Sequence, residues 1–144
     1  MAITSAICNS FKQEILEAEH NFSSSGGNTF NLALYDSDAT LNKSTTVYTT
    51  SEELATTGGY TAKGNALTSV TPTLDSDTAV CDFSNTSWTS ASFTARGCLI
   101  FNDSHSSDAA VCAIDFGGDK TVTSGTFTVE FPAAAASTAI IQIA

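Results

Sequence analysis

The sequence predicts a mainly β protein, an antiparallel β-sandwich of jelly-roll-like kind, carrying one N-terminal α-helix. Three observations carry that expectation. Ser and Thr together exceed a quarter of the residues; branched Thr suits a pleated surface, and Ser suits turns and caps. Beyond residue 28 the apolar residues recur with a period of two, in short runs broken by Gly, Asn, Asp and Ser roughly every 8–12 residues, the strand spacing of a sandwich or barrel. Before residue 23 the period is instead near 3.6.

The helical stripe comes first. Ile3, Ile7, Phe11 and Ile15 recur at every fourth position, Cys8 and Leu16 widen the stripe, and Lys12, Gln13, Glu14, Glu17 and Glu19 fall largely opposite. This pattern predicts an amphipathic helix within residues 1–22, packed on its own sheet or, as the alternative, on a neighbouring subunit, with Thr4 or Ser5 as N-cap. Ser23, Ser24, Ser25, Gly26 and Gly27 then read as a flexible connector. Strand patterns follow at 29–35, where Phe30, Leu32 and Leu34 share a face, and at 44–48. A hydroxyl at Thr50 three residues before Glu53 suits one capped helical turn. Further strand patterns occur at 60–67 (interrupted by Gly64), at 69–74 with Pro72 suited to an edge, and at 79–83, 86–89, 92–101, 109–116, 121–131 and 137–143. Asp36-Ser37-Asp38, Gly58-Gly59, Asp75-Ser76-Asp77 and Gly117 to Lys120 read as turns, and 102–108 as a polar loop. No block repeats at a fixed period, and the 144 residues fit a single domain, 1–144.

Charge and chemistry narrow the function. The formal net charge is −10 with only five basic residues, which cannot form a phosphate-neutralising stripe, so nucleic acid is not an expected partner. No apolar run reaches the roughly 20 residues of a membrane span, and the start lacks the pattern of a signal peptide, so synthesis in a reducing cytoplasm is expected. The four cysteines, Cys8, Cys81, Cys98 and Cys112, have no metal-ligand spacing and read as small buried hydrophobes. His20 falls at the end of the helix stripe, where a cation suits the helix dipole, and His105 in the polar loop. Neither belongs to a metal or nucleophile motif. Asp36/Asp38 and Asp75/Asp77 could each offer alternate carboxylates to Ca²⁺ but lack the rest of an EF-hand, and turn formation explains them better. Trp88 with Phe83, Phe93 and Phe101 suits an aromatic core layer better than a sugar-stacking platform. Arg96, inside a strand, calls for an acidic partner. No catalytic, cofactor or metal site is assigned, and no enzyme activity is expected.

Several segments, taken in order, resemble a known family. They are Ser10-Phe-Lys-Gln-Glu-Ile-Leu-Glu-Ala-Glu-His-Asn-Phe22, Asn28-Thr-Phe-Asn-Leu-Ala-Leu-Tyr-Asp-Ser-Asp-Ala-Thr-Leu41, Gly59-Tyr-Thr-Ala-Lys-Gly-Asn-Ala-Leu67, Ser92-Phe-Thr-Ala-Arg-Gly-Cys-Leu-Ile-Phe101, Ile114-Asp-Phe-Gly-Gly-Asp-Lys120 and Thr126-Phe-Thr-Val-Glu-Phe-Pro132. Over nearly its whole length the chain resembles small structural proteins encoded among the virion genes of tailed bacteriophages, most like capsid cement or decoration proteins. The resemblance implies a partner, the major capsid protein, self-association as a dimer or trimer, and a place on the capsid surface of the virion after synthesis in the host bacterial cytoplasm. It brings no catalytic residues. Residues 1–10 and the loop 102–108 are the expected contacts with the shell. A tail or fibre component, or a carbohydrate-binding sandwich module, is the alternative.

Overall fold

The computed structural model describes residues 2–144. Its strands are β1 (Ala6–Ile7), β2 (Phe30–Tyr35), β3 (Asn65–Ala66), β4 (Ser69–Asp75), β5 (Thr78–Phe83), β6 (Thr86–Asn102), β7 (Ala109–Val129) and β8 (Ile141–Ile143), with one helix, α1 (Asn9–Leu16). They pair antiparallel into a five-stranded sheet of order β1-β7-β6-β2-β3 and a three-stranded sheet of order β4-β5-β8. The sheets share one apolar core, in which the rings of Phe22 and Phe30 stack 4.2 Å apart and Phe83 of the smaller sheet meets both. The expected β-sandwich with an N-terminal helix is therefore present. Its strands divide five and three rather than into two four-stranded Greek keys, so the finer jelly-roll likeness is not established.

The backbone of the fold is the hairpin β6–β7. The sequence reads as four separate runs here, with a reversal at Gly117 to Lys120, but the chain does not reverse. Ile114 already faces Cys98 and Thr121 already faces Thr94 across the ladder, so the surplus residues between them swell into a bulge. Gly117, at φ +80°, supplies the left-handed geometry, and the Asp115 carboxylate accepts its N–H at 2.9 Å. A second irregularity, with Ser90 at φ +49°, joins the runs 86–89 and 92–101 into one strand.

Every residue of β2 is buried, although the sequence shows alternation. The reason lies in the long excursion between β2 and β3. Phe30, Leu32 and Leu34 face the smaller sheet, and the opposite face is roofed by the excursion and the N-terminus: Tyr48 stacks on Phe101 at 4.7 Å, and Ile3 closes over Gly97. The excursion holds few regular pairings. Residues 44–48 make a single bridge, Val47 to Ala109, and of 60–67 only Asn65 and Ala66 join the sheet. The 50–53 stretch forms a turn, with the Glu53 N–H bonded to the Thr50 carbonyl, not a capped helix.

The N-terminus departs most from expectation. The helix is eight residues long and begins after Cys8, which occupies the N-cap without a side-chain bond. Ile3 instead bridges Leu41, and Ala6 and Ile7 pair with Ala113 and Cys112 as an edge strand. Ser5, expected as a cap, accepts the Asp115 N–H through its hydroxyl at 2.8 Å. An edge ladder and a helix compete for the same backbone donors, and isolated helices this short are marginal; the open edge of β7 wins. Residues 23–27 are also tied down: both the N–H and the hydroxyl of Ser24 engage Thr71. At the other end, only Ile141–Ile143 of the expected 137–143 strand is paired.

Candidate functional site

The residues that could carry chemistry are mostly spent on structure. His20 lies past the end of α1, buried beside Phe11 with ring centroids 4.9 Å apart. Its Nε2 meets the Glu14 carboxylate at 2.6 Å, and Asn102 donates to its Nδ1 at 3.0 Å, so its partner is a carboxylate rather than the helix terminus. With Nδ1 accepting, the proton sits on Nε2, and the ring works as a connector between the helix and β6. His105 stacks near it at 6.2 Å and reaches Glu19 at 3.0 Å. The loop containing His105 is fastened further by Lys63, which bridges Asp103 at 2.9 Å and Asp108 at 2.8 Å.

All four cysteines are buried and free. Desolvation pushes the Cys8 thiol up to about 11 and Cys81 up to about 12, and raises Cys98 and Cys112 as well. Such thiols stay protonated and inert. Trp88, Phe83 and Phe101 are buried and Phe93 is partly so, with Trp88 only 4% exposed against Tyr60, Phe93 and Phe127. The four aromatics are core residues but not one layer: Trp88 packs with Phe93, Phe83 with Phe22, Phe30 and Phe131, and Phe101 under Tyr48 on the other face of β2. Arg96 finds its acidic partner in Asp115, Nε to Oδ1 at 3.1 Å, with both groups partly exposed.

Of the two Asp-x-Asp pairs, Asp75/Asp77 closes the β4–β5 hairpin, and Asp75 accepts the Ala136 N–H at 2.7 Å. Asp36 accepts the Asp38 N–H at 2.9 Å, as an Asx turn does. The excursion also brings Glu52 to this pair, so that three carboxylates offer ligand atoms within 4.8 Å of one another. Glu52 is not legible as a member in the sequence, because a stretch of irregular chain separates it from Asp38 and only the fold closes the gap. Six to eight oxygens are needed for Ca²⁺, and three solvated carboxylates on a loop are common without an ion.

No sequence pattern announces the clasp around Glu53. Its carboxylate accepts the Tyr48 hydroxyl, the Tyr60 hydroxyl at 2.7 Å and the Lys63 N–H at 2.7 Å. The Tyr60 oxygen in turn accepts the Leu34 N–H at 3.0 Å, and the Tyr35 hydroxyl donates to the Thr49 carbonyl at 2.6 Å. Burial, joined by the neighbouring carboxylate, raises all three phenols, so they remain neutral donors. This network anchors the excursion to β2.

Beside an apolar hollow of about 520 Å³ lined by Ile114, Phe116, Phe127 and Phe131, a larger groove of about 750 Å³ runs along the open side of the sandwich. Ile7, Phe11, Ile15 and Leu16 form one wall, Cys81, Ile141 and Ile143 belong to the other, and Lys12 is the only acid or formal base among the lining residues apart from His20. Leu16 is 88% exposed and Ile143 58%. The groove therefore lies between the helix at one sheet's edge and the edge strand of the other.

No protein-family model, curated protein or solved structure matches this chain. Function therefore rests on the residues themselves and on the resemblance.

Proposed function

We propose that the chain is a non-enzymatic structural protein of a tailed-phage virion, a capsid cement or decoration protein that binds the major capsid protein and stabilises the head shell. The observation that supports this best is the contrast between chemistry-bearing side chains tied into internal contacts and an unfilled apolar groove at the sandwich edge. Reactive groups are locked in connectors, whereas the groove offers surface for docking. Facing hydroxyls on the long hairpin, Ser87 with Thr128 and Thr94 with Thr121, pair across the strands and present a neutral exterior suited to exposure on a shell. A net charge of −10 keeps free copies apart and favours a neutral or basic docking surface. Many equivalent junctions in a shell multiply modest contacts.

The expected contacts narrow in this reading. Ala6 and Ile7 form an edge of the sheet, Ile3 bridges Leu41, and loop 102–108 is held to the body through Asn102, Asp103 and Asp108, so the reading centres on the groove side, which includes Ile7 of the expected segment; Met1 lies outside the described residues. Quantitative mass spectrometry of gradient-purified virions tests the reading. A cement protein is present in hundreds of copies and persists on DNA-filled heads without tails. Tens of copies or fewer, lost with the tail, would point to the tail or fibre alternative.

A further inference from the structure

Sheet edges invite pairing with other chains, and proteins blunt them with proline, bulges, charge or extreme shortness. Three of the four edges here are managed. β4 carries Pro72 and a register shift between Val70 and Thr73, while β1 and β3 have two residues each. The fourth, β8, reads Ile141-Gln142-Ile143 with no charge, no proline and no irregularity, and beyond β5 it has no strand neighbour among the described residues. It also borders the apolar groove.

Resting on the reading of the chain as a docking protein, we propose that the groove takes one extended segment of the partner protein. That segment adds to β8 as a fourth strand of the sheet β4-β5-β8, with apolar side chains turned into the groove and basic residues at its ends. Main-chain bonds to an edge supply affinity, and the pockets beside it select alternate side chains. The basic flanks follow from charge. Glu17 stands between the lining residues Leu16 and Ala18, while Asp77 lies two residues before Ala79, the partner of Ile143. Lys12, on the helix wall, donates to the Asn9 side chain at 3.2 Å. A second copy of this chain fits less well: each carries −10, and the apolar area left open by Leu16 and Ile143 is a few hundred Å² at most, short of the roughly 800 Å² per partner of a stable interface.

A synthetic ten-residue peptide of three Val-Thr repeats with two lysines at each end serves as the probe, titrated into the full chain at low salt and followed by backbone NMR. The expected result is binding at about 1 mM or tighter, with shifts confined to 141–143, 79–81 and 15–23. Affinity falls at least about tenfold when glutamate replaces lysine, and falls again with salt. N-methylation of alternate peptide amides abolishes binding, and Ile143→Lys does so while leaving the melting temperature unchanged. Shifts elsewhere, or none at all, overturn the proposal. So does equal binding of the N-methylated peptide, which would mark an apolar ligand site instead, or self-association through β8 without peptide. Peptide failure alongside hundreds of copies per virion sinks only the strand mode. Peptide binding by a chain missing from virions sinks the capsid reading instead.

Discussion

Replacing Glu53 with alanine removes the acceptor for three donors at once. One of them is buried, the hydroxyl of Tyr60, whose residue is 2% exposed, and the half-buried Lys63 N–H is held equally close, each 2.7 Å from the carboxylate. Tyr48 is half-buried and can rehydrate. A hydrogen bond to a charged group is worth about 1.5–3 kcal/mol, and a buried donor left unpaired costs about 1–3 kcal/mol. Counting only the Tyr60 and Lys63 bonds to the carboxylate, Glu53→Ala should cost about 3–5 kcal/mol. Unfolding entropy near 2.1 cal/mol/K per residue gives about 0.3 kcal/mol/K for a chain of this length, so the melting temperature should fall by about 10–17 °C. Glu53→Gln keeps one acceptor and should lose about half as much. Thermal and urea unfolding followed by far-UV circular dichroism measure both. A loss under about 1 kcal/mol for the alanine variant would refute the idea that this carboxylate holds the excursion against β2.

Four further outcomes follow from particular contacts. Gly64 sits at φ +66°, and a Cβ at this position would fall only 1.8 Å from the Leu32 carbonyl oxygen, so Gly64→Ala should cost more than about 3 kcal/mol in urea unfolding by prising β3 from β2. Burial raises the Asp82 carboxyl against the opposing pull of the Phe83 and Ile140 N–H groups, so the folded state holds its proton more tightly than the unfolded chain. That contribution is fully present below the unfolded value near 3.9 and is lost as pH rises through the folded one; Asp82→Asn should therefore gain relative stability above that window and none below it. Asp115 acts oppositely, since the Gly117 N–H and then Arg96 lower it: its contribution is present above 3.9 and lost as pH falls through the folded value, and Asp115→Asn should lose stability at neutral pH, most visibly at low salt. Urea unfolding of each variant across pH checks both signs. Finally, Ellman's reagent at pH 8 should find no reactive thiol in the native protein and four after unfolding; a rapidly labelled native cysteine would contradict the burial of all four.

Much of the fold is legible in the sequence, and the failures share a cause. The sequence locates β2, β4 and β5 nearly to their ends: β4 and β5 form a local hairpin, and β2 pairs with the distant β6 but carries its pattern within its own six residues. Pro72 marks an edge because a missing N–H can only be tolerated there. The helix stripe overreaches: Ile3 and Ile7 fit a helical face by spacing, but the same residues fit the edge of β7 and the hollow over Gly97, and only tertiary pairing chooses between them. Gly117 to Lys120 carries turn residues that serve equally well in a bulge, and register with β6 decides which forms. The groove is invisible in the sequence for a different reason. Its walls come from residues near 11–16, 79–81 and 141–143, which no local pattern connects. Strand context alone, by contrast, suffices to bury Cys81, Cys98 and Cys112 and to place Trp88 in the core.

The capsid assignment is tested most directly by a cryo-EM reconstruction of the DNA-filled head at a resolution that separates strands. The expected density is a two-layer sandwich on the outer shell at repeated capsomer junctions, with α1 and β8 turned toward the major capsid protein and the β6–β7 hairpin outward. A shell without that density, in virions whose tail contains the chain, would contradict the assignment.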